Sequence, residues 1–145
     1  MTREFFLYLS EQPRLRGWME TSPVARKLTR RFVAGTTLDD ELKVAAQLKA
    51  QGVSTALDHL GENVTSLEEA EGSAAAYLQA LDQIAARGLP ATVSIKATQF
   101  GMDVSESACH DNVLRVAIRA REIGSRVEID MESSAYIDRT LALVS

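Results

Sequence analysis

At 145 residues, with 46% hydrophobic and 25% charged side chains, the chain has the balance of a folded domain large enough for a core, not of a disordered segment. A formal net charge of −4 disfavours a nucleic-acid binder, which would present a basic face. One cysteine, Cys109, cannot form an internal disulfide and suits a reducing compartment.

The first 35 residues read as a helical segment punctuated by Pro13 and Pro23. The start is apolar, but Arg3 and Glu4 interrupt it and it lacks a clear cleavage site, so it does not read as a signal peptide. No run of the sequence has the length of a membrane span. The expectation is an intracellular, cytoplasmic protein, with peripheral contact at the inner membrane face left open. Val24, Leu28 and Phe32 share a helical face, while Phe5, Phe6, Leu7 and Trp18 are expected to pack. Arg26, Lys27, Arg30 and Arg31 read as a solvated helix face.

From residue 36 the pattern is regular. Thr37 can cap a helix whose first turn holds Asp39 and Asp40, and Leu38, Leu42, Ala45 and Leu48 form its apolar face. Gly52, Gly88 and Gly124 then fall 36 residues apart. Each precedes a short apolar run: Val53–Leu57, Ala91–Ile95 and Val127–Ile129. Each run ends against an ionisable residue, Asp58, Lys96 or Asp130. A helix follows each strand. The first carries a capping box, Ser66 with Glu69; the second spans Glu106–Glu122; the third begins near Ser134.

Strand–helix–strand at this period predicts parallel strands in an α/β fold. Two features favour a barrel over a doubly wound sheet. No glycine-rich phosphate loop follows the first strand, and every strand delivers a charge at its C-terminal end, where (β/α)8 barrels build their sites. The expected architecture is therefore a partial (β/α)8 TIM-type barrel: N-terminal helices over 1–35, then three βα units over 36–145. Eight such units would need roughly twice this chain.

Lys96 is the main candidate for chemistry. A lysine ending a buried strand must pair with an anion or lose its proton, and Asp58 and Asp130 on flanking strands are its natural partners. Anion binding, Schiff-base formation and a structural ion pair all stay open on these residues alone. Glu62 and Glu132 are loop carboxylates, which ordinarily are solvated. His59 with scattered carboxylates is weak evidence for a metal, and none is expected. Gly61 and Gly101 suit turns, Tyr77 and Tyr136 suit packing, and Cys109 beside His110 does not face it on a helix.

Three stretches carry a resemblance. They are Arg31-Phe-Val-Ala-Gly-Thr-Thr-Leu-Asp-Asp40, Leu57-Asp-His-Leu-Gly-Glu62, and the pair Val93-Ser-Ile-Lys96 with Val127-Glu-Ile-Asp-Met-Glu132. In this order and spacing they resemble the N-terminal portion of bacterial, monofunctional proline dehydrogenase. The resemblance implies FAD-dependent oxidation of L-proline to Δ1-pyrroline-5-carboxylate, with electrons passed to a quinone. It assigns Lys96 to the proline carboxylate and Asp130 to the polar network of the substrate pocket. Asp58 becomes a neighbour of the lysine, and Glu62 a loop glutamate that in some relatives closes an ion pair over the substrate. It also implies an arginine pair on a late helix and most of the flavin contacts, neither of which this sequence contains. Ala97 departs from the family's usual leucine. The alternatives are a Schiff-base aldolase or lyase using Lys96, and an inactive α/β fragment whose open sheet edges promote self-association and which binds little FAD. Homo-oligomer formation is left open.

Overall fold

The computed structural model describes residues 12, 22, 33–61 and 63–144. The expected helical segment over 1–35 lies almost wholly outside these residues, as does Glu62. Two compact units divide the chain, residues 1–41 and 42–145. Within the first, the Thr37 hydroxyl accepts from the Asp40 N–H at 3.2 Å and starts helix α1 (Leu38–Lys49).

The second unit holds three strands, β1 (Thr55–Asp58), β2 (Ala91–Lys96) and β3 (Val127–Asp130), in one parallel sheet of order β1-β2-β3. Between them run α2 (Leu67–Ala86), a 3-10 turn η1 (Ala97–Phe100) and α3 (Glu106–Glu122); α4 (Ile137–Leu143) follows β3. Ser66 caps α2 by accepting from Glu69 N–H at 3.2 Å. The Glu69 carboxylate accepts in turn from the backbone of Thr65 at 2.7 Å, a capping box reaching one residue further back.

Three helices stop in the same way. At Gly52, Gly88 and Gly124 the backbone is left-handed, with φ of 75°, 55° and 72°. The next N–H returns five residues: Val53 to Leu48, Leu89 to Ile84, Ser125 to Ala120. Each glycine N–H returns three residues, to Lys49, Ala85 and Arg121. This is the Schellman arrangement, and it is the physical reason a glycine recurs at each helix end. It also corrects the first strand. Val53 spends its N–H closing α1 and is half exposed, so pairing begins at Thr55.

Alternation divides the sheet into two faces. Leu57, Val93 and Ile95 are buried beneath α2 and α3, which pack on each other and on the sheet. Complete burial of a side chain such as Ile95 contributes about 1.5–3 kcal/mol. α2 sends Ala70, Ala74, Tyr77, Leu81 and Ile84 into this layer; α3 sends Cys109, Val113, Val116 and Ala120. Consecutive strand order with these helices on one face is the arrangement of consecutive (β/α)8 units. The opposite face is polar, carrying Asp58, Thr92, Ser94, Lys96, Glu128 and Asp130.

The last helix starts at Ile137, three residues later than expected, because residues 134–136 form a turn. Tyr136, expected to pack, instead donates its hydroxyl to Asp103 at 2.7 Å. That bond, followed by the Arg139 guanidinium, holds the Asp103 carboxyl below its ordinary range. Arg139 also binds Glu106 at 2.8 Å, tying α4 to the start of α3.

Candidate active site

The register sets the candidate residues in rows. Asp58 lies level with Ser94, and Lys96 with Asp130, all on the polar face at the C-terminal ends of the strands. Lys96 sits two residues beyond the row of Asp58, and its long stem spans the difference. Its Nζ lies 3.1 Å from Asp58 Oδ2 and 3.9 Å from Asp130 Oδ2. The lysine side chain is 15% exposed and the two carboxylates 37% and 48%, so the cation is the most enclosed member. Charge-assisted contacts of this kind hold a flexible stem in one place.

Sequence reasoning missed the hydroxyls that finish this face. Ser94 Oγ donates to Asp130 at 2.9 Å, and Thr92 Oγ1 donates to Glu128 at 2.8 Å one layer lower. The signal was available: Thr92 and Ser94 stand four and two residues before Lys96, on the same side of a strand. Ser94 leaves Asp130 one oxygen directed at the lysine while engaging the other.

Beyond Lys96 the chain turns into η1, and all four residues of that turn are buried. Thr98 receives the Asn63 N–H on its hydroxyl at 3.3 Å and donates that hydroxyl to Glu132. Glu132 also accepts from the Thr98 N–H at 3.1 Å, so it is bonded and not simply solvated. Gln99 Nε2 donates to the carbonyl of His59 at 3.1 Å. Tyr77 does pack, but its hydroxyl also donates to Ser94 O at 2.8 Å and accepts from His59 N–H at 3.2 Å. His59 is exposed, with its ring edge-on to Tyr77. Among the described residues no group of three or more His, Cys, Asp or Glu side chains is placed to hold a metal.

An open depression carries Lys96 and Asp130, walled by Asn63, Met131, Glu132, Ser133 and Tyr136. Cys109 lies apart from it, fully buried, with its thiol 3.5 Å from Ala97 O. Burial pushes that thiol up to about 11. Among the described residues the depression offers the Lys96 cation, the carboxylates of Asp130 and Glu132 and the Ser133 hydroxyl to a small polar molecule.

Comparison with known proteins identifies the family. The proline dehydrogenase family model matches residues 41–145. Proline dehydrogenase 1 of Bacillus subtilis strain 168 is 32% identical over 143 residues, covering 99% of this chain and 47% of that protein. Proline dehydrogenase 2 of the same strain is 31% identical over 141 residues, covering 97% and 46%. The Deinococcus radiodurans proline dehydrogenase is 29% identical over 117 residues, covering 79% and 38%. The chain thus spans about half the length of the Bacillus relatives it matches. In fold it is similar to a crystal structure of proline utilization A from Bdellovibrio bacteriovorus inactivated by N-propargylglycine. That match has a TM-score of 0.73 and 22% identity, and covers 83% of this chain and 15% of that one. Strand-end charges on one polar face and a family match over most of the sequence lead to one conclusion: the chain belongs to the proline dehydrogenase family.

Proposed function

We propose that this chain supplies part of the substrate site of an FAD-dependent enzyme that oxidises L-proline to Δ1-pyrroline-5-carboxylate and passes the electrons to a quinone. Since the Bacillus relatives are about twice as long, the activity is proposed for a protein of their length containing this stretch. The observation that carries the reading is the convergence of Asp58, Lys96 and Asp130 on one face.

In this reading Lys96 holds the proline carboxylate. Asp58 orients the ammonium, and Asp130, fixed by Ser94, completes the polar network. Glu62, outside the described residues, is assigned to the loop over the bound substrate. FAD, when bound, supplies the two-electron acceptor. Lys96 on the strand-end face would stand near its reacting end, while the Ser94 and Thr92 hydroxyl protons are spent on Asp130 and Glu128. The donor set here does not suit its phosphates, since no glycine-rich turn follows β1. The chain's own part is to bind and orient proline, which is where such an enzyme gains rate.

Asp58 and Asp130 hold the Lys96 Nζ at 3.1 and 3.9 Å, a placement that orients the cation for a substrate carboxylate. The aldolase reading lacks that support. The decisive test is Lys96→Ala in the enzyme of full family length. Loss of a charge-assisted contact should raise the apparent KM for proline by about tenfold or more. An unchanged KM would remove the role given to Lys96, and a covalent adduct on Lys96 after borohydride trapping with a carbonyl compound would reinstate the aldolase.

A further inference from the structure

We infer that Thr98 is a positioning residue for the proposed substrate site, setting two walls of the depression around Lys96 from a single buried hydroxyl. The inference rests on the proline-oxidising reading for its substrate, and on the geometry alone for its mechanics.

Thr98 is two residues past Lys96 and fully buried. Its hydroxyl has one proton, and that proton goes to Glu132 on the segment after β3. The oxygen receives the N–H of Asn63, on the segment after β1, at 3.3 Å. Both Asn63 and Glu132 line the depression that holds Lys96 and Asp130. One side chain on the central unit thus fixes a point on each neighbouring unit, across 35 and 34 residues of sequence.

Each bond answers a local need. Asn63 has a left-handed backbone, φ 53°, which a non-glycine residue adopts only at some cost. Holding its N–H offsets that cost. Glu132 is a carboxylate at the rim of a site that already contains Asp58 and Asp130. Two bonds from Thr98, N–H and hydroxyl, turn it towards η1. Gln99 assists by holding the His59 carbonyl at 3.1 Å. Removing the Thr98 hydroxyl frees Asn63 and weakens the hold on Glu132, while Lys96 keeps its own partners.

The test compares Thr98→Val, which keeps the shape and the backbone bond to Glu132 but loses both bonds of the hydroxyl, with Thr98→Ser, which restores the hydroxyl. In the enzyme of full family length, Thr98→Val should raise KM for proline about five- to tenfold with kcat within about threefold, the signature of lost binding. Thr98→Ser should return KM to within about twofold of wild type. Hydrogen exchange at the Asn63 amide, which needs no substrate, should accelerate in Thr98→Val and not in Thr98→Ser. Equal exchange in all three proteins overturns the positioning role whatever the kinetics. Faster exchange with unchanged KM overturns the link to substrate. If Thr98→Val does not fold, Thr98→Ala is read for the same KM and Asn63 exchange, with the same outcomes deciding. A wild-type enzyme that ignores proline would defeat the proposed function, and with it the link to substrate, while the exchange measurement still judged the mechanics.

Discussion

Cys109 shows how burial decides chemistry at a single residue. Its neighbour in sequence is His110, yet the thiol turns inward against Ala97 O while the histidine stays exposed. Desolvation raises the thiol from an ordinary 9.0 to about 11, with the charge of Arg139 acting in opposition. In the folded protein Cys109 should therefore resist a thiol reagent at about pH 8 and react only after unfolding in urea. Ready labelling of the native protein would contradict the burial. The linkage has a definite sign. Between about 9 and 11 the unfolded chain loses the thiol proton and the folded chain keeps it, so this group's contribution to stability falls as pH rises. Across that range Cys109→Ala should show a shallower loss of stability than wild type. Lys96, Asp58 and Asp130 were legible as a set because alternation along parallel strands fixes their face. Thr98 was not, because its partners lie 35 and 34 residues away on other segments, and no local periodicity encodes such a reach.

Elements were legible where one local rule governs them. The helix over Glu106–Glu122 has the bounds its pattern predicts, with Ser105 accepting from Ala108 N–H as its cap. Boundaries moved where two rules compete, as at Val53, where the helix stop takes the N–H a strand would need. Ion pairs between α2 and α3, Arg115–Glu71 and Arg119–Asp82, each at 2.7 Å, lie at the solvent surface, where screening leaves them little weight. Apolar packing carries that interface. A sharper constraint sits at the end of η1. Gly101 has φ 94°, and a Cβ there would come within 2.9 Å of Ala70 Cβ on α2. Gly101→Ala should cost about 2–4 kcal/mol, combining left-handed strain with overpacking. Gly52→Ala is the control, since φ 75° brings strain but nothing lies within 4 Å, and about 1 kcal/mol is expected. Equal losses in urea unfolding would show that the contact with Ala70 does not matter.

At the scale of the molecule the sheet is open. Among the described residues β1 and β3 each pair on one side, leaving unpaired backbone groups at both edges. Edges of this kind recruit other chains. Expressed as these 145 residues, the protein should self-associate at micromolar concentration and bind little FAD. Size-exclusion chromatography yielding a stable monomer with one flavin per chain would refute this. The α/β class and parallel strands were legible from a repeated glycine and a repeated strand-end charge. Glu132 was legible only as a position, because its bonds to Thr98 depend on how two turns close over the sheet.

The order of the strands has a consequence for how the protein is made. Each strand pairs with the one synthesised before it, and α2 packs against the next long helix to leave the ribosome. Assembly can follow translation one unit at a time, with every arriving strand meeting a template already in place. The lysine on β2 emerges after Asp58 and ahead of Asp130, so its first counterion is waiting and its second comes with the following unit.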